Sequence, residues 1–203
     1  MLNFTAIDTE TACADRSSLC QIALVRYRDG RIEDSFTSLV NPQMEFCAIN
    51  SRITGLSCED VAAAPAFADI AEQVFSFIGS DLLVAHNMPF DSSVLMRTSK
   101  RYDKSFYPVY SFCTLLASKG EIDEKKIKNY KLPTVCAYYG IPIEHHHDAL
   151  ADAVAAAEIF KKFAEIYHAD SAQDLLYRMR ITPGRVEPER VSNCRNGIIS
   201  VRF

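Results

Sequence analysis

The stretch "FTAIDTETA", residues 4–12, sets two carboxylic acids at the end of what otherwise reads as a buried β-strand. Strand alternation turns Asp8 and Glu10 onto the same side of the backbone. Two like charges side by side are costly unless a cation or a proton shields them. Taken alone, Asp8 also fits a loop cap. The segment therefore acquires meaning from what the rest of the chain brings to it.

The remaining pattern is that of a layered α/β domain. "LNFTAID" and "SLCQIALVRY" are β-favouring runs joined by a polar loop, and "RDG" after the second is a turn signal. "RIEDSFTSLV" makes a third strand that ends at the Asn41-Pro42 breaker, which completes an antiparallel meander. From Ser57 to Ile78 the spacing predicts a helix, with Ser57 as N-cap, Val74, Phe75 and Ile78 at helical intervals, and Gly79 as the stop. "DLLVAHN" is a short buried-type strand, and "MPFDSSVLMRTSKRY" is a helix with Pro89 near its start. "VYSFCTLLASK" reads as a last strand running into a helix, and "GEIDEKKIKNYK" as an exposed loop. "LPTVCAYYGI" is a short helix stopped by Gly140 and Pro142. An alanine-rich helix follows from Ala149 to about Tyr167, with Leu150, Val154, Ala157, Phe160 and Phe163 on or near one face. The expected fold is α/β, a mixed five-stranded sheet flanked by helices. Residues 169–203 form a C-terminal extension, with "SAQDLLYRMR" as one more helix and Asn196-Gly197 as a hairpin signal.

Further acids stand where such folds place their sites. Asp91 opens the helix after "LLVAHN", and Asp148 and Asp152 bracket the entry to the alanine-rich helix, one turn apart on a shared face. Each, by itself, also suits a helix dipole. Carboxylates converging from three segments on one cleft suit hard cations with oxygen ligands, Mg²⁺ or Mn²⁺, better than zinc. A pair of such ions activates water and stabilises the leaving oxygen of a phosphodiester. A transition-metal site on His145, His146 and His147 is a weaker alternative, because adjacent residues of a regular element cannot all turn onto one ion and no second histidine cluster is available.

Bulk properties narrow the classes. A net charge of −4 carries no global footprint for duplex nucleic acid, yet bound cations would reverse the local field of an acidic site. The seven cysteines (Cys13, Cys20, Cys47, Cys58, Cys113, Cys136, Cys194) contain no CxxC pair, which argues for free thiols in a reducing compartment. No apolar run approaches the roughly 18 residues that span a bilayer. "MLNFTAID" has neither a basic n-region nor a long apolar stretch, so the expectation is a cytoplasmic protein with no membrane contact.

"FTAIDTETA", "VAHNMPFDSSVL" and "HDALADA" together resemble the three motifs of the DnaQ-like (DEDDh) 3′–5′ exonucleases, in the expected order and separations. The intervening text is similar too: "NPQMEFCAINSRITGL", "CEDVAAAPAF", "FCTLLASK" and "KLPTVCAYYGIPI". The family includes the proofreading subunit of bacterial DNA polymerase III. The resemblance, over about residues 1–167, implies an RNase H-like exonuclease domain at 1–168. It implies that Asp8, Glu10, Asp91 and Asp152 ligate two Mg²⁺ or Mn²⁺ ions and that His147 is the general base. It implies release of nucleoside 5′-monophosphates from single-stranded 3′ ends, DNA being favoured over RNA.

Thr9, Thr11, Ile53 and Phe90 are implied at the nucleotide pocket. His86 and Asn87 are expected to orient a loop, Asp148 to be the N-cap, and His145 and His146 to lie in the rim loop. Cys13 departs from the glycine or asparagine of the family pattern, and Thr54 from its histidine near the substrate, which would alter or weaken contacts to the terminal nucleotide. An exoribonuclease of the RNase T or oligoribonuclease type is the alternative enzyme, and a non-catalytic nucleic-acid-binding module the alternative class. "QDLLY" loosely resembles the peptides by which replication proteins bind a sliding clamp, against an ordinary amphipathic helix with Leu175, Leu176 and Met179 packed inward.

Overall fold

The computed structural model of the chain describes residues 1–143 and 147–196. Strands β1 (Phe4–Thr11), β2 (Leu19–Arg28) and β3 (Arg31–Leu39) form the expected antiparallel meander. Asp29 and Gly30, both at positive φ, make the tight turn between β2 and β3. Return to the sheet runs through three helices: α1 (Ala48–Thr54), α2 (Cys58–Val61) and α3 (Phe67–Ile78). The single helix expected from Ser57 to Ile78 is thus corrected to two. Ser57 does cap α2, in a reciprocal box with Asp60, but Pro65 interrupts the path, because proline disfavours helical backbone before it and donates no hydrogen bond. The chain restarts at Ala66, whose N–H is taken by the Asp69 carboxylate at 3.0 Å. Helix α1 has no buried side chain, so its apolar spacing carried little signal.

Strand β4 (Leu83–Ala85) then pairs in parallel with β1; α4 (Met88–Arg101) crosses over, and β5 (Val109–Cys113) pairs in parallel with β4. Helices α5 (Thr114–Glu121) and α6 (Leu132–Tyr139) lead to α7 (Ala149–Ile166), with the charged loop between α5 and α6 as expected. Gly140 ends α6 at φ 68°, a left-handed cap that glycine adopts without strain.

Helix α7 packs across β1, β2 and β4. Its alanines Ala149, Ala153, Ala156 and Ala157 are buried and admit the helix close to the sheet. Beyond them Phe160 meets Phe4 edge-on at 4.7 Å and Phe112 at 4.9 Å, while Phe4 stacks on Tyr27 at 4.8 Å. Each aromatic pair adds about 0.5–1.5 kcal/mol beyond its buried area. This cluster fixes the far end of α7 and hence where its acidic first turn lies.

The extension joins the same sheet. After α8 (Ala172–Arg178) come β6 (Ile181–Thr182), β7 (Gly184–Val186), β8 (Val191–Ser192) and β9 (Arg195–Asn196). Strand β7 pairs antiparallel with β5, and the order is β3-β2-β1-β4-β5-β7-β8, seven strands rather than the five expected. The two additions are short and were hidden among prolines and arginines. A Cβ on Gly184 would meet Ser111 Oγ at 2.6 Å and the Cys194 nitrogen at 2.8 Å, besides the Ser192 carbonyl, so only glycine allows this strand its approach. Leu175 and Leu176 of α8 are buried and Met179 packs against the same core, as an amphipathic helix requires. The expected turn at Asn196-Gly197 runs outside the described residues. Among the described residues no helix is long and apolar enough to cross a membrane.

Candidate active site

Three elements meet at one place: the C-terminal end of β1, the start of α4 and the start of α7. Along β1 the burial alternates at that end, Thr9 and Thr11 being covered while Asp8 and Glu10 are half-buried on the other side. Asp91 comes from the first turn of α4. That helix is entered through Asn87, at φ 81° and ψ 46°, followed by Pro89. The left-handed entry swings the chain from β4 into the helix within two residues, an excursion asparagine tolerates better than most side chains. Asp152 comes from the first turn of α7, which Asp148 caps by accepting the Ala151 N–H at 3.0 Å. Both Asp91 and Asp152 are almost wholly buried.

Contacts tie these elements together. Thr9 Oγ1 donates to Asp91 Oδ1 at 2.8 Å, so β1 and α4 are joined through the site itself. The His147 N–H donates to Asp152 Oδ2 at 3.2 Å. A ligand atom from each of Glu10, His147 and Asp152 lies within 4.8 Å of the other two. Of the three consecutive histidines, His147 belongs to this group; His145 and His146 lie outside the described residues.

The electrostatics follow from the crowding. Burial, and then the charges of Asp91, Glu10, Asp152 and Asp148, push the Asp8 carboxyl well above the ordinary carboxylate range. Burial and then Asp152, Asp91 and Asp148 push Glu10 up to about 8. Burial raises Asp91 to about 7, opposed by the hydrogen bond from Thr9, by backbone N–H groups and by Arg16. Acids so placed hold protons near neutrality unless a cation replaces them. The donor set is rich in hard carboxylate oxygens, as Mg²⁺ and Mn²⁺ prefer.

Thr11 is buried, and its carbonyl and hydroxyl accept the Asn50 side-chain amide at 2.9 and 3.3 Å, which anchors α1 beside β1. Ile53, on α1, is 47% exposed and so free to meet a ligand. Phe90 is half-buried, with the Arg16 guanidinium 3.9 Å above its ring centroid. His86 bridges Thr114 Oγ1 and the Tyr130 carbonyl, both at 2.9 Å, and so orients the loop before α6. Thr54 turns its hydroxyl to the Leu56 N–H, and the Cys13 N–H is bonded to Ser18. Asn50 and Arg16 escaped the sequence reading. Arg16 lies in a polar loop with no periodicity, and its only signal was a cation just beyond the acidic strand.

Comparison with known proteins shows the family of the chain. The profile of the RNase T family, described as Exonuclease, matches residues 5–160. A DNA polymerase III PolC-type protein of Oceanobacillus iheyensis is 31% identical over 166 residues, covering 80% of this chain and 11% of its own length. A protein named 3′-5′ exonuclease DinG from Staphylococcus epidermidis is 26% identical over 180 residues, covering 86% of this chain and 20% of its own. The chain thus spans about a tenth to a fifth of these relatives. Among solved structures, exonuclease X in complex with 5′ overhanging duplex DNA superimposes with a TM-score of 0.65 at 25% identity, covering 83% of this chain and 93% of that one.

Proposed function

The chain belongs to the RNase T family of exonucleases, with the DnaQ-like RNase H fold, and on that premise we propose that it is a metal-dependent 3′–5′ exonuclease. In this reading it shortens single strands from the 3′ end, DNA in preference to RNA, releasing nucleoside 5′-monophosphates. The observation that carries the proposal is the approach of Glu10, His147 and Asp152 within 4.8 Å, beside Asp8 and Asp91.

Asp8, Glu10, Asp91 and Asp152 would hold two Mg²⁺ or Mn²⁺ ions, which when bound supply an activated water and stabilise the leaving oxygen. The chain's own residues do the rest. His147 takes the proton from the attacking water, a role suited to an imidazole at neutral pH. Its N–H bond to Asp152 keeps it at the edge of the cluster. Thr9 orients Asp91, and Thr11 holds α1 through Asn50, so that Ile53 and Phe90 flank the terminal nucleotide. Residues 1–168 form the catalytic unit, and residues 169–203 an extension whose strand β7 pairs with β5. Free cysteines at all seven positions fit a reducing, cytoplasmic setting. A place in replication or repair is suggested by the names of the relatives.

The test uses 5′-labelled single strands of DNA and RNA of one sequence, with Mg²⁺, Mn²⁺ or EDTA. Stepwise 3′ shortening only with metal, faster on DNA, is expected. Faster loss of RNA would move the protein to the exoribonuclease branch. Binding without shortening, by protein shown to be folded, would sink the enzyme reading.

A further inference from the structure

Arg16 stands on the Asp91 flank of the acidic cluster, and among the described residues it forms no ion pair. Its guanidinium lies over the Phe90 ring with Cζ 3.9 Å from the centroid, and Phe90 directly precedes Asp91. Asp91 in turn accepts the Thr9 hydroxyl at 2.8 Å, so the Arg16–Phe90 pair adjoins the place where α4 meets β1.

The loop that carries Arg16 is pinned. Ala12 and Ser18 close it through a 2.8 Å backbone bond. Ser18 Oγ donates to the Asp15 carbonyl at 2.6 Å and accepts the Cys13 N–H at 3.1 Å. The Asp15 carboxylate, the nearest acid in sequence, accepts both the N–H and the hydroxyl of Ser17, at 2.8 and 2.9 Å. From α4, Thr98 donates to the Arg16 carbonyl and Arg101 to the Ser17 carbonyl, each at 3.4 Å. These bonds fix the loop, which holds the Arg16 guanidinium against an aromatic face.

We propose that Arg16, laid on Phe90, receives a backbone phosphate of the bound strand on the 5′ side of the scissile bond, and so favours polymers over single nucleotides. The proposal rests on the exonuclease reading above. A strand entering a cluster of carboxylates meets repulsion, and a pre-placed cation at the flank offsets it. Arginine suits this position because its charge is permanent and its planar fork presents N–H groups to a phosphate while one face stays on the ring. Phe90 then gives one ring face to Arg16, beside its place at the terminal nucleotide.

The test compares wild-type protein with Arg16→Ala and Arg16→Lys. In EDTA, binding of a 5′-fluorescein oligothymidine is followed by anisotropy across a salt series. Arg16→Ala is expected to bind about tenfold more weakly. Its slope of log affinity against log salt should be shallower by about 0.7, the release expected for one phosphate on a single strand. Arg16→Lys keeps the wild-type slope. With Mn²⁺, kcat/KM for the oligonucleotide relative to the p-nitrophenyl ester of thymidine 5′-monophosphate, which has no upstream phosphate, falls about tenfold in Arg16→Ala. An unchanged slope, or equal loss on both substrates, overturns the proposal. Wild-type protein inactive on both substrates overturns the exonuclease reading instead. Circular dichroism establishes that each variant is folded, and Arg16→Gln replaces Arg16→Ala if the latter is not.

Discussion

The backbone N–H of His147 donates to Asp152 Oδ2 at 3.2 Å from a residue whose φ of 79° lies in the left-handed region. The imidazole is thus carried on a strained residue directly before the helix that supplies a carboxylate. Strain of this kind costs of the order of 1–3 kcal/mol and persists where the surroundings impose it.

Replacing His147 by glycine should relieve the strain and remove the proposed base together. We expect His147→Gly to melt at or slightly above the wild-type temperature, with hydrolysis of labelled DNA slower by about 10²–10⁴. His145→Ala and His146→Ala should leave the rate near wild type. Equal losses from all three would refute the assignment of His147.

The raised carboxyls dictate a pH dependence. Asp8, Glu10 and Asp91 bind protons in the folded chain at pH values where the unfolded chain has released them. Their contribution to stability is therefore fullest below about pH 4 and declines as pH rises towards 8. In EDTA the contribution of this cluster falls through that window, and Mn²⁺ should raise the melting temperature more at pH 8 than at pH 6. Asp8→Asn should stabilise the metal-free protein and abolish most of the Mn²⁺ effect. Calorimetry in two buffers of different ionisation enthalpy should register proton release on Mn²⁺ binding; no release at pH 6 would contradict the raised carboxyls.

His86 joins α5 to the loop before α6 through two 2.9 Å contacts. His86→Ala should cost about 1–3 kcal/mol, since Thr114 and the Tyr130 carbonyl lose a partner. Trypsin should then cut faster at Lys128 and Lys131. Cutting at the wild-type rate would show that Tyr130, whose hydroxyl bonds the Ile122 carbonyl at 2.8 Å, holds the loop alone.

Gly184→Ala tests the extension. The added methyl overlaps the Ser192 carbonyl, Ser111 Oγ and the Cys194 nitrogen, and separating β7 from β5 should destabilise by about 1–3 kcal/mol in urea titration. Stability equal to wild type would mean that these residues pack less closely in solution.

Local patterning was legible wherever one segment sufficed. Alternation placed Asp8 and Glu10 together, the capping position of Asp148 followed from the helix that starts behind it, and Gly140 ended α6. What stayed hidden depended on partners distant in the chain. The partnership of Thr9 with Asp91 spans 82 positions, and that of Asn50 with Thr11 spans 39. Helix α1 buries nothing, and strands of two or three residues show no period at all.

The sequence by itself determined which residues could do chemistry and in what order along the chain they arrive, because residue type and spacing are local properties. Only the tertiary structure decided that Glu10, Asp152 and His147 share one volume, that burial lifts the carboxyls there, and that Arg16 rests on Phe90. Those are consequences of packing α4 and α7 against one sheet. Distance and desolvation arise between elements, and no short window of sequence contains β1, α4 and α7 together.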